Sequence, residues 1–181
     1  MQPPLAPIID RCLQHDRAAQ KLLFQQYKDT VMSACYRYAT DINEAKDMAQ
    51  NTFIRVFHHL VDYDADKGSF VTWISRIAVR EAIAIKRKNK RLIFPDSQMP
   101  LTDEVLPPQI IDQLSIAELK NLIEKMPESH KIILNLYYFD EFSHQEIAEL
   151  LGIETSSSRS KLTRAKAELQ TQWKLASQTG L

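Results

Sequence analysis

Glycine is nearly absent, with three in 181 residues. So few residues free to take positive φ cannot build a chain of tight hairpins, and the abundance of helix formers points to a mostly helical protein. Cysteine is scarce as well. Cys12 and Cys35 stand far apart with no C-x-x-C spacing, which excludes a disulfide framework and suits reduced thiols in a cytosolic protein. No run of about 18 apolar residues occurs, so neither a membrane span nor membrane insertion is expected. The opening MQPPLAPIIDRC has no basic lead and no apolar stretch, and no signal peptide is expected from it. Net charge is zero, which argues against a generally adhesive nucleic-acid binder. What is present is an apolar fraction of 44%, enough for ordinary cores.

The charges are segregated along the chain. From Arg76 to Arg91 the bases Arg76, Arg80, Lys86, Arg87, Lys88, Lys90 and Arg91 meet one acid, Glu81. From Leu92 to Glu118 the acids Asp96, Asp103, Glu104, Asp112 and Glu118 meet no base, and from Arg159 onward the bases meet only Glu168. The acidic block also holds Pro95, Pro100, Pro107 and Pro108, a density that no helix interior tolerates. The pattern predicts an all-α protein of two small helical domains, 1–93 and 110–181, joined by a Pro-rich acidic linker at 94–109.

In the first domain, Ala18 to Tyr38 has helical spacing, with Leu22, Leu23, Tyr27, Val31, Ala34 and Cys35 as its inner face. "DINE", Asp41 to Glu44, reads as a capping box. The helix after it buries Ala45, Met48, Ala49, Phe53, Val56, Phe57 and Leu60, while Asp47, Gln50, Asn51 and Arg55 share another face. "VDYDADKG" is a loop, and Ser69 opens a third helix. On that helix Phe70, Ile74, Ile77, Ala78 and Ile85 point one way. Thr72, Arg76, Arg80, Arg87, Lys90 and Arg91 share an arc of about 100° on the other side, with Trp73 at the border. A basic stripe beside an aromatic ring suits a nucleic-acid strand, with charges for phosphates and a ring for bases.

In the second domain a helix from Leu114 to Lys125 stops before Pro127, and another carries Ile132, Ile133, Leu136 and Tyr137. Ser143 and Glu146 form a second capping box that opens a short helix. Gly152 supplies a turn, and a basic helix starts at Thr155. That order is a helix-turn-helix. Leu162, Ala165, Leu169 and Trp173 form the buried stripe of the last helix; Ser156, Ser157, Ser160, Lys161 and Arg164 are predicted on its exposed side. Small hydroxyls in a first turn let the helix end approach a duplex closely, and its free N–H groups favour phosphate.

"EAKDMAQNTFIRVF", "GSFVTWISRIAVREAIAIKRKNKR" and "FSHQEIAELLGIETSSSRSKLTRAKAEL", in that order, resemble regions 2 and 4 of the extracytoplasmic-function (ECF) sigma factors of bacterial RNA polymerase. The resemblance implies a cytoplasmic bacterial protein that uses no cofactor and catalyses nothing itself. Its partners would be core RNA polymerase, promoter DNA and an anti-sigma factor. Asp47, Gln50 and Asn51 match positions that grip the polymerase clamp. The loop from Val61 to Gly68, with Asp64 and Lys67, resembles the one that receives a flipped base of the −10 element. Phe70, Trp73, Arg76, Arg80 and Arg87 resemble the melting and recognition helix. Ser156, Ser157, Arg159, Ser160, Lys161, Arg164 and Lys166 would read the −35 element. The family usually has Asn where Arg80 stands, Asp where Ala84 stands and Val where Ser158 stands.

Three other readings account for less. An ordinary helix-turn-helix regulator leaves the basic stripe and the Asp47/Gln50 face unused. The five histidines show neither metal-ligand spacing nor a nucleophile grouping, against an enzyme or metal protein. An adaptor without DNA contact leaves the stripe unexplained.

Overall fold

A computed structural model describes residues 4–88 and 121–178. The chain divides between Lys88 and Asn89 into two units. Among the described residues both are helical, with no strand. The linker expected at 94–109, Lys90 and Arg91 of the stripe, and most of the helix expected from Leu114 lie outside the described residues; 121–124 end a helix before Pro127.

The first unit holds α1 (Leu5–Leu13), α2 (Arg17–Tyr36), α3 (Ile42–His59) and α4 (Phe70–Lys88). Helix α1 was not foreseen, because Pro4 before it, Pro7 within it and a short apolar run hide a helix that buries only Ile8 and Cys12. Asp16 joins it to α2. One carboxylate oxygen caps α2 by accepting from the N–H groups of Ala18 and Ala19 at 2.8 and 3.3 Å, while the other holds the Arg11 guanidinium at 2.6 Å. Such a cap is worth about 1 kcal/mol.

Asp41 caps α3 in the same way, accepting from the N–H groups of Asn43 and Glu44. Glu44 does reach back, but to the N–H and hydroxyl of Thr40, one residue before the cap, at 2.6 and 2.7 Å. Between α3 and α4 the acidic loop winds into two short 3-10 turns, Leu60–Asp62 and Ala65–Lys67. The Ser69 hydroxyl then accepts from the N–H of Thr72 and starts α4.

Helices α2, α3 and α4 pack against one another around Leu23, Val31, Met48, Val56, Ile74, Ala78 and Val79, all fully buried. The periodicity reading needs adjusting at its edges. Leu22 is 39% exposed, and Ala49, Phe57, Ile77 and Ile85 are half-buried, because three helices leave room for a narrower apolar stripe than each one offers. In exchange Glu81 and Lys86, two residues of the basic block, are buried. Glu81 pairs with Arg55 of α3, and the Lys86 ammonium lies 3.8 Å from the Glu44 carboxylate. Lys86 therefore takes no part in the exposed stripe.

The second unit contains α5 (Glu128–Leu134), a π-helical turn (Asn135–Phe139), α6 (His144–Leu151) and α7 (Thr155–Gln178). The capping box of Ser143 and Glu146 is present, and Gly152 adopts φ 67° at the end of α6, a conformation that favours glycine. Ile132, Ile133, Leu136, Ile147, Leu162, Ala165 and Leu169 form the core. Trp173, expected in the buried stripe, is only half-buried near the end of α7, and Tyr137 is 36% exposed because the π-turn rotates it outward.

The buried ion pair predicts an asymmetry. Glu44→Ala takes a carboxylate away from the buried Lys86 ammonium and should cost about 1.5–3 kcal/mol in urea denaturation. Lys86→Met leaves a carboxylate still held by Thr40 and should cost well under half as much. Equal losses would show that other contacts of Lys86 hold the ammonium without Glu44.

Candidate nucleic-acid interface

The start of α4 is held by aromatic packing. Phe70 lies with its ring centroid 4.8 Å from that of Tyr27, 5.0 Å from Tyr63 and 5.3 Å from Trp73. It is 3% exposed. Phe70 thus lies on the inner face that its helical spacing predicts, and its ring braces the start of the helix. Trp73 remains half-buried, packed by Phe70 and by Tyr63 at 5.5 Å. Tyr63, which the sequence reading left without a role, donates from its hydroxyl to the carbonyl of Gly68 and ties the acidic loop to the indole.

Within that loop Asp64 accepts from the N–H of Asp66 and meets the Lys67 ammonium at 3.2 Å. The backbone N–H of Asp66, then Lys67, holds the Asp64 carboxyl below its ordinary range. Both side chains stabilise the loop's own shape while staying accessible.

Trp73, Ile77, Arg80 and Ala84 recur at helical spacing along α4 and form one wall of a cleft of about 340 Å³. Arg55 and His59 of α3, with Asp62 of the loop, face them. Arg55 is engaged by Glu81, and His59 Nδ1 lies 3.0 Å from Asp62 Oδ2. Arg80 is exposed and makes no hydrogen bond or ion pair among the described residues. Arg76, half-buried, and Arg87, exposed, continue the same face. His59, Asp62 and Arg55 were not identified from sequence as lining this site, since only the α3–α4 packing brings them there.

On α3, Asp47, Gln50 and Asn51 are all exposed. Gln50 also borders a groove of about 510 Å³ between α2 and α3. Its apolar floor includes Phe24, 44% exposed, and Ile54, 50% exposed, with Phe24 packed on Phe53 at 4.7 Å.

In the second unit α7 presents Ser156 and Arg159 outward, with Ser157, Ser160, Thr163, Arg164 and Lys166 half-buried along its flanks. Lys161 corrects the expectation, at 8% exposure. It falls on the ridge of Ser158 and Ala165 by three- and four-residue steps, so its methylene stem lies along the core side. Ser158 itself is fully buried and shares a 3.0 Å hydrogen bond with His144 Nδ1, on whose ring Tyr137 stacks at 4.9 Å. That contact clamps the first turn of α7 to α6.

Two family models match the chain, Sigma-70 region 2 over residues 23–92 and Sigma-70, region 4 over residues 116–169. The ECF RNA polymerase sigma factor SigW of Bacillus subtilis is 30% identical over 158 residues, which cover 81% of this chain and 84% of that protein. This chain belongs to the ECF sigma factors. The RNA polymerase sigma-H factor of Pseudomonas aeruginosa is 26% identical over 177 residues, 88% of each chain. Among solved structures, the sigma factor RpoE of Bartonella quintana, in complex with the anti-sigma factor NepR, shares the fold at a TM-score of 0.52. The two are 16% identical, over 85% of this chain and 96% of that one. In this ECF sigma factor every site residue expected from sequence falls inside one of the two matched regions, whereas α1 lies outside both. An ordinary helix-turn-helix regulator would leave region 2 without a role. No helix among the described residues is long and apolar enough to cross a membrane.

The clamp on α7 has a pH signature. Burial, then Arg159 and Lys166, push the pKa of His144 down, and burial pushes that of His130 down too. Both sit lower in the folded than in the unfolded chain, so stability is full above the unfolded value of about 6.5 and falls as the pH drops below it. The second unit, followed by Trp173 fluorescence in a Trp73→Phe background, should lose Tm from about pH 7.5 to about pH 5.5, and His144→Asn should lessen the loss. Ser158→Ala should cost about 1 kcal/mol at neutral pH. A Tm independent of pH would remove the two half-buried imidazoles from the stability of this unit.

Proposed function

We propose that this chain binds core RNA polymerase and directs promoter-specific initiation, its first domain opening the −10 segment and its second holding the −35 element. What carries this reading is one chain with both matched regions in order, the first bearing a braced indole and an exposed guanidinium on a single cleft. Asp47, Gln50 and Asn51 form the polar part of the polymerase contact, and the neighbouring Phe24/Ile54 groove adds its apolar part. Exposed polar side chains alone bring little affinity; a desolvated aromatic beside them supplies more.

Strand opening costs a few kcal/mol for each base unstacked and unpaired. Stacking one base on an aromatic ring returns about 1–3 kcal/mol, so capture at Trp73 offsets most of the cost for that base. Arg76 and Arg87 follow the strand's phosphates, while Asp64 and Lys67 shape the loop over the captured base. Ser156 and Arg159, with Ser157, Ser160, Arg164 and Lys166 beside them, meet the duplex at the −35 element. Lys161 positions α7 through its stem. The chain itself hydrolyses nothing; polymerase supplies the catalysis. It works in the bacterial cytoplasm, and an anti-sigma factor could restrain it by covering the Phe24/Ile54 groove.

Two variants test the two halves of this reading. Asp47→Ala combined with Gln50→Ala should weaken co-purification with core polymerase and leave the melting curve unchanged, since both residues are exposed. Undiminished co-purification would take that face out of the interface. Trp73→Ala should lower permanganate reactivity of promoter thymines in the polymerase complex, and Trp73→Phe should restore most of it. Full reactivity with Trp73→Ala, in a protein that still melts as wild type, would remove the indole from strand opening.

A further inference from the structure

His144 is the first residue of α6 and lies against the first turn of α7, where the two helices of the helix-turn-helix meet. Its ring is held on two sides. Nδ1 shares the 3.0 Å hydrogen bond with the buried Ser158 hydroxyl, and Tyr137 of the π-turn stacks on the ring face with the two planes 27° apart. Nε2 is not enclosed and has no hydrogen-bond partner among the described residues. The charges that bear on the ring are those of Arg159 and Lys166 on α7, while Glu146 of its own helix is committed to the N–H of Ser143 at 2.8 Å. A half-buried imidazole beside two bases holds a proton poorly, so in the free chain the ring is largely neutral at pH 7.

We propose that His144 couples promoter binding to proton uptake: it meets a backbone phosphate of the −35 element through Nε2 and takes one proton from solvent as the complex forms. The inference rests on the −35 reading above. In a helix-turn-helix the first helix crosses the DNA backbone while the second enters the major groove. A side chain at the start of α6 that is bonded to the first turn of α7 stands where those two paths converge. Arg159, exposed, and Lys166 draw phosphate to the same place. A phosphate there reverses the local field. It offsets the two bases that repelled the proton, and as an anion it favours the imidazolium directly. The protonated ring then donates from both nitrogens, Nε2–H to the phosphate oxygen and Nδ1–H to Ser158 Oγ, which accepts as readily as it donates. The bond to α7 therefore survives protonation. The sign is opposite to that of stability: acid weakens the free unit, but the complex binds more protons than its separate parts, so affinity rises as the pH falls.

The test uses core polymerase reconstituted with the full chain and two promoter probes, one extending upstream through the −35 element and one ending downstream of it. The ratio of their affinities separates the second domain from the pH response of polymerase and of the first domain. For the wild type that ratio should rise about 3- to 10-fold from about pH 8 to about pH 6, within the roughly tenfold per pH unit that uptake of one proton allows. His144→Gln, whose amide still bonds Ser158 but takes up no proton, should hold the ratio near its alkaline value throughout. His130→Gln, which removes the unit's other half-buried imidazole, should keep the wild-type rise. A role confined to holding α7 gives the reverse sign, with the ratio falling in acid as the unit loses stability. If the wild-type ratio is flat or falls, or if His144→Gln retains the rise, this inference is overturned while −35 binding stands. If the −35 segment adds no affinity at any pH, the −35 reading fails and this inference with it.

Discussion

The burial of Phe70 is the constraint on which the first domain's chemistry depends. Its ring fills the junction of α2, the acidic loop and α4, touching Tyr27, Tyr63 and Trp73. Because Phe70 is the first residue of α4, fixing it fixes the rotation of the helix about its axis. That rotation turns Trp73, Ile77, Arg80 and Ala84 into the cleft and leaves Ile74, Ala78 and Val79 in the core. A stacking residue gains most when it is held in place beforehand, since less freedom is then lost on binding. The brace and the proposed stacking residue, Trp73, are thus neighbouring rings of one cluster.

Charge is sorted by the same packing. The basic block of α4 looks uniform along the chain, yet its members have separate fates. Lys86 goes inside toward Glu44, and the block's single acid, Glu81, is drawn to Arg55 on the neighbouring helix. Arg80 is left facing the cleft. Burial of an unpaired charge is costly, so the two buried ionic groups of α4 meet their counter-charges on α3, and Arg80 and Arg87 stay exposed. A zero net charge for the whole chain is compatible with a locally basic face for this reason.

In the second domain a comparable economy holds the recognition helix. Glu146 and Ser143 close the start of α6, Gly152 turns the chain, and the His144–Ser158 hydrogen bond sets the first turn of α7 against α6. The serine run therefore divides by position: Ser158 faces inward as a clamp, Ser156 faces outward, and Ser157 and Ser160 lie between, with the Ser160 hydroxyl donating to the Ser157 carbonyl.

The amino-acid sequence alone determined the helical class, the caps at Asp41 and Ser143, the glycine turn at Gly152 and the alternation of basic and acidic blocks. Each of these is local, set by residues within one or two helical turns of each other. It also placed Trp73 at the border of α4 and Arg80 outside the core, because both follow from a period of 3.6 residues. Tertiary packing alone decided that Phe70 is a brace, that Lys86 and Lys161 turn inward, that α1 docks on α2, and that His59 and Asp62 face Trp73 and Arg80 across a cleft. Those outcomes depend on which side chain of another helix arrives opposite, and a helical period carries no information about that. The residues whose roles shifted most are long or amphipathic, able to bury a stem or a ring while keeping a polar tip satisfied, so their placement is settled by the partner they meet.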